Sequence, residues 1–247
     1  MNTQEIQRVL EEARNRLDRP PAPPKLRRAE LARYMDHTLL KPEATPADAE
    51  RVAHEALEHG FRAVCVNPSY GELVARILAG SSVATCVVVG FPLGATLTQV
   101  KAEEAALAIE RGASEVDMVI HIGHLKARNL RYVEQDIRAV REAMGPDGVL
   151  KVILETALLT DEEKVLGTWL VREAGAQFVK TSTGFGPGGA TPWDVALLKA
   201  AAGNTLQVKA AGGIRTAQQA LEYIALGATR LGTSRSLQIL ETLEENA

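Results

Sequence analysis

The chain has 247 residues, of which 46% are hydrophobic and 24% are charged, with a formal net charge of −3. These values are ordinary for one large globular domain, and a negative charge without a dense basic tract argues against a nucleic-acid partner or an anionic membrane surface. Because no apolar stretch approaches membrane-spanning length and the N-terminus is amphipathic rather than signal-like, we expect a soluble, cytoplasmic protein.

Residues 1–27 are predicted to form a helix and a spacer that precede the main domain. Apolar side chains recur at helical spacing through residues 1–19, and the PPAPP run at 20–24 ends that helix and acts as a stiff, extended connection. Three roles are open for this segment: an end cap on the main domain, a contact with another subunit, or a loosely attached helix without a role.

Residues 28–247 alternate between strand-like and helix-like patterns. Short apolar runs rich in β-branched residues occur near 34–38, 62–66, 82–89, 115–120, 149–154, 177–182, 206–210 and 229–233. Helical patterns separate them, for example at 160–175, where Thr160 and Glu163 form a capping box and Gly175 is a stop signal. About eight such units predict an α/β fold, the (β/α)8 TIM barrel. A doubly wound open sheet is the alternative, because the period alone does not prove closure.

Functional residues of a barrel gather where strands end and the following loops begin. The predicted strands have these polar or reactive residues at that position: Asp36, Thr38, Cys65, Asn67, Asp117, Glu155, Lys180 and Lys209. Cys65 and the second cysteine, Cys86, lie in apolar runs without a CxxC pair. We therefore expect reduced, buried thiols rather than a disulfide or a zinc site.

Two lysines at strand ends predict carbonyl chemistry. Lys180 follows the apolar residues of AQFVKTSTGFG, and Lys209 has the matching place in LQVKAAGGIR. Burial without an obvious partner and a second ammonium nearby both favour the neutral amine, which forms Schiff bases with carbonyl compounds. The alternative is that each lysine is a solvated strand end or one half of a buried ion pair. The residues alone leave the nucleophile open, because Lys151 in LKVILET is a third strand lysine.

The loops after the last two predicted strands, AAGGIRT and LGTSRS, are small and rich in backbone N–H groups. Barrels commonly bind phosphate at this place. We therefore expect a phosphate dianion to contact Gly212, Gly213, Ser234 and Arg235, with Gly184 of the preceding glycine-rich turn. Simple turn geometry would also explain the glycines, and Arg235 could equally begin the final helix facing water.

Two further motifs resemble a dinucleotide-binding site and a metal site, but we expect neither site in this protein. GFGPGG at 184–189 is similar to a dinucleotide fingerprint, but no Asp or Glu lies about 20 residues later to bind a ribose. His121 and His124 in HIGH are close to Asp117 in the chain, yet no further ligands converge, and a solvated loop explains them. Neither an organic cofactor nor a metal is therefore expected.

A Schiff-base lysine, a second lysine that keeps it neutral, a carboxylate and a phosphate cradle together specify a reaction class. The substrate would be a phosphorylated carbonyl compound, and the bond made or broken would lie beside the carbonyl, because the iminium withdraws electrons from the adjacent carbon. Aldol cleavage, transaldolisation and dehydration all fit this scheme.

Motifs from Tyr34 to Ser236 resemble, in the same order, those of the deoxyribose-phosphate aldolase family: YMDHTLLKPEAT, VCVNP, VVVGFPLGATLTQVKAEEA, GASEVDMVI, KVILET, FVKTSTGFGPGGAT, VKAAGGIRT and RLGTS. The resemblance implies a class I aldolase that cleaves 2-deoxyribose 5-phosphate to glyceraldehyde 3-phosphate and acetaldehyde, as a homodimer or homotetramer. It implies that Lys180 forms the Schiff base, that Lys209 keeps it neutral, and that Asp117 handles protons. Supporting residues would be Asp36, Thr38, Cys65 and Lys151.

The resemblance has limits, and other functions compete with it. The N-terminal helix lies outside the shared core, and this chain ends in LEENA where some members have a tyrosine tail that reaches the active site. Any role of such a tail would be absent here or supplied by Asp117, water and Lys209. One rival is another lysine-dependent barrel, such as a transaldolase or a fructose-phosphate-type aldolase, which should prefer ketoses to acetaldehyde. The other is a sugar-phosphate-binding protein on an inactive barrel, which would need neither lysine nor Asp117.

Overall fold

Eight parallel strands close into a barrel in the computed structural model, which describes residues 1–243. In chain order the strands are β1 Met35–Leu39, β2 Ala63–Val66, β3 Ala84–Val89, β4 Glu115–Val119, β5 Val149–Ile153, β6 Phe178–Lys180, β7 Gln207–Ala211 and β8 Arg230–Thr233. Each strand pairs with the next, and β8 returns to β1, where Leu231 lies opposite Met35. Closure confirms the predicted (β/α)8 TIM barrel and excludes the open, doubly wound sheet.

Helices connect the strands around the outside of the barrel. They are α1 Thr3–Asp18, α2 Arg28–Ala32, α3 Pro46–His59, α4 Gly71–Leu78, α5 Thr98–Glu110, α6 Ile122–Lys126, α7 Leu130–Ala143, α8 Asp161–Glu173, α9 Pro192–Ala202, α10 Ala217–Leu226 and α11 Ser236–Glu241. The predicted capping box begins α8, because Thr160 Oγ1 accepts from the Glu163 N–H and the Glu163 carboxylate accepts from the Thr160 N–H. Gly175, with a φ of 82°, follows the end of the same helix as predicted.

Alternation along each strand divides the side chains between two environments. On β2, Val64 and Val66 belong to the main apolar core, which also contains residues of the surrounding helices, whereas Cys65 belongs to a separate cluster. On β4, Val116 and Met118 lie in the main core, and Asp117 between them points the other way, into the barrel. Each fully buried aliphatic side chain contributes about 1.5–3 kcal/mol to folding. The strands can therefore be apolar overall and still carry charged groups in the barrel interior.

The N-terminal helix packs against the main domain. Ile6, Val9 and Ala13 of α1 are buried in a cluster with apolar residues of α8 and α9, including Val165 and Leu197. Helix α1 therefore covers the side of the barrel at α8 and α9 and is not loosely attached. No helix within residues 1–243 is long and apolar enough to cross a membrane. The last four residues of the LEENA terminus lie outside the described residues.

Candidate active site

Three lysines surround one buried aspartate inside the barrel. Asp117 Oδ2 accepts hydrogen bonds from Lys180 Nζ and Lys209 Nζ, both at 2.7 Å, and Asp117 Oδ1 accepts from Lys151 Nζ at 2.8 Å. None of the four residues is more than 3% exposed. Burial of both lysines is as expected, although Lys209 lies in the middle of β7 rather than at its end. Lys180 has a partner, which corrects the expectation that it has none. Lys151, equally buried, belongs to the same cluster.

A second group of charges continues the cluster toward the beginning of the strands. Asp36 accepts from Lys209 through Oδ2 and from Arg230 through Oδ1, the latter at 2.7 Å. Glu115 Oε2 lies 2.7 Å from Lys151 Nζ and 3.0 Å from Arg230 Nη1. Asp36 was predicted as a site residue. Glu115 and Arg230 were not, although a charge inside each of the apolar runs ASEVDMV and ATRLGTS was the signal that could have identified them.

Apart from Lys180, the cations and carboxylates of this cluster are equal in number. Three cations face three carboxylates, namely Lys151, Lys209 and Arg230 with Asp36, Glu115 and Asp117. A neutral Lys180 amine can still donate its hydrogen bond to Asp117. Lys180 is thus the lysine that remains when these cations and carboxylates are matched with one another.

The electrostatic field of the cluster keeps Asp117, Lys209 and Lys151 ionised. Burial opposes the ionisation of Asp117, but the three lysines outweigh burial and hold the pKa of this carboxyl well below its usual range. Burial likewise opposes charge on Lys209, but Asp117 and Asp36 outweigh it and raise its pKa. The pKa of Lys151 is raised in the same way, with Asp117 as the main counter-charge. Lys209 and Lys151 are therefore ammonium ions next to an aspartate that stays a carboxylate.

The two cysteines are free, buried neighbours on β2 and β3, as predicted. Cys86 Sγ donates to Asp117 Oδ1 at 3.2 Å and accepts from Lys151 Nζ at 3.3 Å. One potential ligand atom each of Cys65, Cys86 and Asp117 lies within 4.8 Å of the others. A metal ion at this point would face the ammonium groups already bound to Asp117, so the arrangement does not fit a cation.

A cavity of about 690 Å³ opens above Lys180 at the carboxyl ends of the strands. Its lining contains Thr38 and every residue that the sequence predicted for phosphate: Gly184, Gly212, Gly213, Ser234 and Arg235. These glycines have φ values of 85°, 88° and 79°, a backbone conformation that side chains rarely allow. The backbone N–H groups at these three glycines are thus held in directions that other residues rarely adopt.

Other strand-end residues hold the loops of the site. Glu155 Oε2 accepts from both the N–H and the hydroxyl of Thr183, and Thr183 Oγ1 accepts from the Phe185 N–H at 3.0 Å. Asn67 donates to the Leu40 carbonyl at 3.3 Å. Neither Glu155 nor Asn67 lines the cavity. Both therefore act by fixing the backbone on which the cavity residues lie.

The histidines of HIGH lie at the start of α6 and are half-buried, which corrects the prediction of a solvated loop. His121 Nδ1 accepts from the His124 N–H at 3.3 Å, and the His124 ring stacks on Tyr132 with ring centres 3.9 Å apart. His121 meets the same tyrosine edge-on at 5.5 Å. Both histidine rings therefore take part in local packing.

Comparison with known proteins decides the family. The profile of the DeoC/LacD family aldolases matches residues 31–238. The chain belongs to the DeoC/LacD aldolase family. A deoxyribose-phosphate aldolase from Bdellovibrio bacteriovorus is 56% identical over 212 residues, which cover 86% of this chain and 96% of that protein. One from Clostridium perfringens is 53% identical over 212 residues, covering 86% and 95%.

Solved structures agree with this membership. A deoxyribose phosphate aldolase from Aeropyrum pernix, described as having a unique tetrameric structure, matches with a TM-score of 0.80 at 34% identity. The match covers 98% of this chain and 97% of that one. As a DeoC/LacD aldolase, the chain is an enzyme of the lyase class, and the family expected from its motifs is confirmed.

Proposed function

We propose that this DeoC/LacD aldolase reversibly cleaves 2-deoxy-D-ribose 5-phosphate into D-glyceraldehyde 3-phosphate and acetaldehyde through a Schiff base on Lys180. The observation that carries the proposal is the position of Lys180 at the base of the cavity. It is the lysine that remains when the other cations of the buried cluster are matched with the three carboxylates. The names of the relatives supply the substrate, since they are deoxyribose-phosphate aldolases at 53–56% identity.

Binding and imine formation come first. The 5-phosphate is held by the N–H groups of Gly212 and Gly213 and by the Ser234 hydroxyl, with Gly184 and Arg235 beside them. The open-chain aldehyde then extends toward Lys180, whose neutral amine attacks C1. A proton from solvent water lets the carbinolamine hydroxyl leave as water, which yields the iminium, and Asp117 lies 2.7 Å from the attacking nitrogen to stabilise that new positive charge.

The iminium then serves as an electron sink for cleavage of the C2–C3 bond. Asp117, acting through a water molecule, accepts the proton of the C3 hydroxyl while glyceraldehyde 3-phosphate forms and leaves. Because the lysines hold the pKa of Asp117 low, it keeps this proton only briefly and returns it to C2 of the remaining enamine. Water hydrolyses the resulting iminium and releases acetaldehyde, so that Lys180 returns to its starting form.

The other groups of the cluster have supporting roles in this scheme. Lys209 is the permanent cation that keeps Lys180 neutral, and Asp36 in turn holds Lys209. Lys151 supplies a second permanent charge to Asp117, and Cys65 packs inside the barrel. Thr38 Oγ1 donates to the Asp36 carbonyl at 2.8 Å, which orders the end of β1 beside the cavity. The lysine itself is the electron sink, so the scheme uses neither a metal nor an organic cofactor.

The decisive experiment traps the imine. The protein is incubated with acetaldehyde and borohydride, digested, and searched by mass spectrometry for the modified lysine. We expect the adduct on Lys180, and we expect the Lys180→Arg variant to lose both the adduct and turnover, because a guanidinium does not form this imine. An adduct on Lys151 or Lys209 in that variant would overturn the assignment.

Assays of the same protein also distinguish the proposed function from its competitors. Turnover with acetaldehyde as the donor supports the proposal, whereas a transaldolase-like or fructose-phosphate-type enzyme would use a ketose instead. A barrel that only binds sugar phosphates would give neither turnover nor adduct.

We further propose a homo-oligomer, a dimer or a tetramer, in the cytoplasm. The oligomer is supported by the tetramer described for the Aeropyrum pernix relative, whose structure covers α1 as well as the barrel. The two free thiols accord with a reducing compartment. Light scattering of the purified protein tests the oligomer directly, and a monomeric mass would contradict it.

A further inference from the structure

A histidine on β1 connects two helices at the wall of the cavity. His37 is only 4% exposed, and its two ring nitrogens have different partners. Nε2 lies 2.7 Å from Glu55 Oε2 on α3, and Nδ1 lies 3.0 Å from the Oγ of Ser236, the first residue of α11. The proposed reaction uses none of these three groups. Yet His37 and Glu55 line the same cavity as Ser234, just before Ser236 in the chain.

The direction of each hydrogen bond follows from the ionisation of the two side chains. Burial lowers the pKa of His37 more than Glu55 raises it, so the imidazole is neutral and has one N–H. Burial opposes charge on Glu55, but His37 and Arg51 outweigh burial and lower its pKa, so Glu55 is a carboxylate that can only accept. The N–H is therefore on Nε2, and Nδ1 accepts from the Ser236 hydroxyl.

This bond anchors one end of the loop that contains Ser234 and Arg235. At the other end, Thr233 Oγ1 donates to the Ile214 carbonyl at 3.2 Å and accepts from the Arg235 N–H at 3.0 Å. The alternative acceptor for the Ser236 hydroxyl is the Thr233 carbonyl, which at 3.4 Å is farther away than His37. The loop is thus held between Thr233 and the His37–Ser236 bond.

We propose that His37 is a positioning residue for phosphate recognition. By accepting the hydroxyl proton of Ser236, it fixes the loop whose Ser234 and Arg235 meet the 5-phosphate, and so it sets the preference for phosphorylated over unphosphorylated aldehydes. Glu55 orients the ring by accepting from the opposite nitrogen. The inference rests on the proposed function, because that function places a phosphate at this loop.

Two substitutions distinguish the roles of the two ring nitrogens of His37. In His37→Asn, the amide oxygen lies near the place of Nδ1 and can still accept from Ser236. In His37→Gln, the longer amide reaches the place of Nε2, so it can donate to Glu55 but leaves Ser236 without its acceptor. We expect His37→Gln to raise KM for deoxyribose 5-phosphate about five- to tenfold, the effect of one hydrogen bond, and His37→Asn to raise it much less. Ser236→Ala should reproduce the His37→Gln value.

Unphosphorylated deoxyribose provides the specificity readout. Its kcat/KM should change much less than that of the phosphorylated sugar in His37→Gln and Ser236→Ala. Equal losses of kcat/KM for both sugars would overturn the proposal, and so would a KM in His37→Asn as high as in His37→Gln. Either result would mean that the ring contributes only to the stability of the fold. Thermal unfolding of all variants is measured in parallel, so that the KM comparison uses folded protein.

Calorimetric measurement of inorganic phosphate binding tests the role of His37 independently of the cleavage reaction. If the wild type does not cleave deoxyribose 5-phosphate, the proposed function fails, and the phosphate affinities still test His37. Weaker phosphate binding in His37→Gln than in His37→Asn supports the positioning role. Equal affinities in the two variants would overturn it.

Discussion

Replacing Lys209 with methionine removes one cation from the barrel interior and keeps a long, unbranched side chain. Lys209 is fully buried and donates to Asp36 and, at 2.7 Å, to Asp117. In Lys209→Met the three carboxylates of the cluster face only two permanent cations, Lys151 and Arg230. Protonation of Lys180 then restores the balance. We therefore expect the variant to be active only at higher pH, where this amine is free.

The size of the shift follows from the geometry. Lys180 and Lys209 both lie 2.7 Å from the same oxygen of Asp117, so their nitrogens are separated by at most twice that distance. At about 5 Å and an effective dielectric constant of about 20, two unit charges repel by about 3 kcal/mol. At about 1.4 kcal/mol per pH unit, the pH at half-maximal kcat/KM should rise by about two units. The drier methionine acts in the opposite direction, so this is an upper value.

The assay is kcat/KM for cleavage of deoxyribose 5-phosphate across the pH range in which the protein is folded. Lys101→Met is the matched control, because Lys101 is also fully buried and pairs with a buried aspartate, Asp136, at 2.6 Å. Breaking a buried pair costs about 3–5 kcal/mol, so both variants should be less stable. Only Lys209→Met should have a displaced pH profile, since Lys101 contacts Asp136 and the Val119 carbonyl rather than the cluster.

Two results would refute this reasoning. An unshifted profile in Lys209→Met, despite lost activity, would mean that Lys209 acts by proton transfer or by geometry. The same displacement in Lys101→Met would mean that loss of any buried lysine has this effect.

Three further predictions concern the carboxylates and the phosphate loops. Asp117→Asn should lower kcat by roughly 10²–10⁴ with little change in KM, because it removes the anion but keeps the shape; a raised KM with normal kcat would make Asp117 a binding group. Ser234→Asp should raise KM sharply for deoxyribose 5-phosphate through like-charge repulsion, and equal losses with unphosphorylated deoxyribose would place the phosphate elsewhere. The depressed pKa values of Asp36 and Asp117 contribute stability that is present above the unfolded value of about 3.9 and is lost as pH falls below it. Urea unfolding at decreasing pH should therefore show a shallower decline in Asp36→Asn than in wild type, and parallel declines would contradict the linkage.

Local patterns in the sequence were enough to predict the barrel elements and the lysines of the buried cluster. Strand and helix periods depend on neighbours two to four residues away, so all eight strands and the Thr160 capping box were predicted from residues close together in the chain. The strand-end rule selected Lys180, which does end β6, because in a parallel barrel every strand presents its carboxyl end to one face. Asp117 and Lys209 were selected by the same rule but lie in the middle of β4 and β7. The glycine-rich loops after the last strands were predicted from the same rule, because they follow the carboxyl ends of those strands.

Only the tertiary structure decided what these residues contact. Asp117 is 63 residues from Lys180 and 92 from Lys209 in the chain, yet one of its oxygens meets both. Arg230 reaches Asp36 across 194 residues because closure of the barrel places β8 beside β1. Strand alternation shows which side chains share a face, but register, closure and charge balance depend on all eight strands together. That dependence is why the sequence predicted a lysine without a partner, and the fold placed it beside an aspartate.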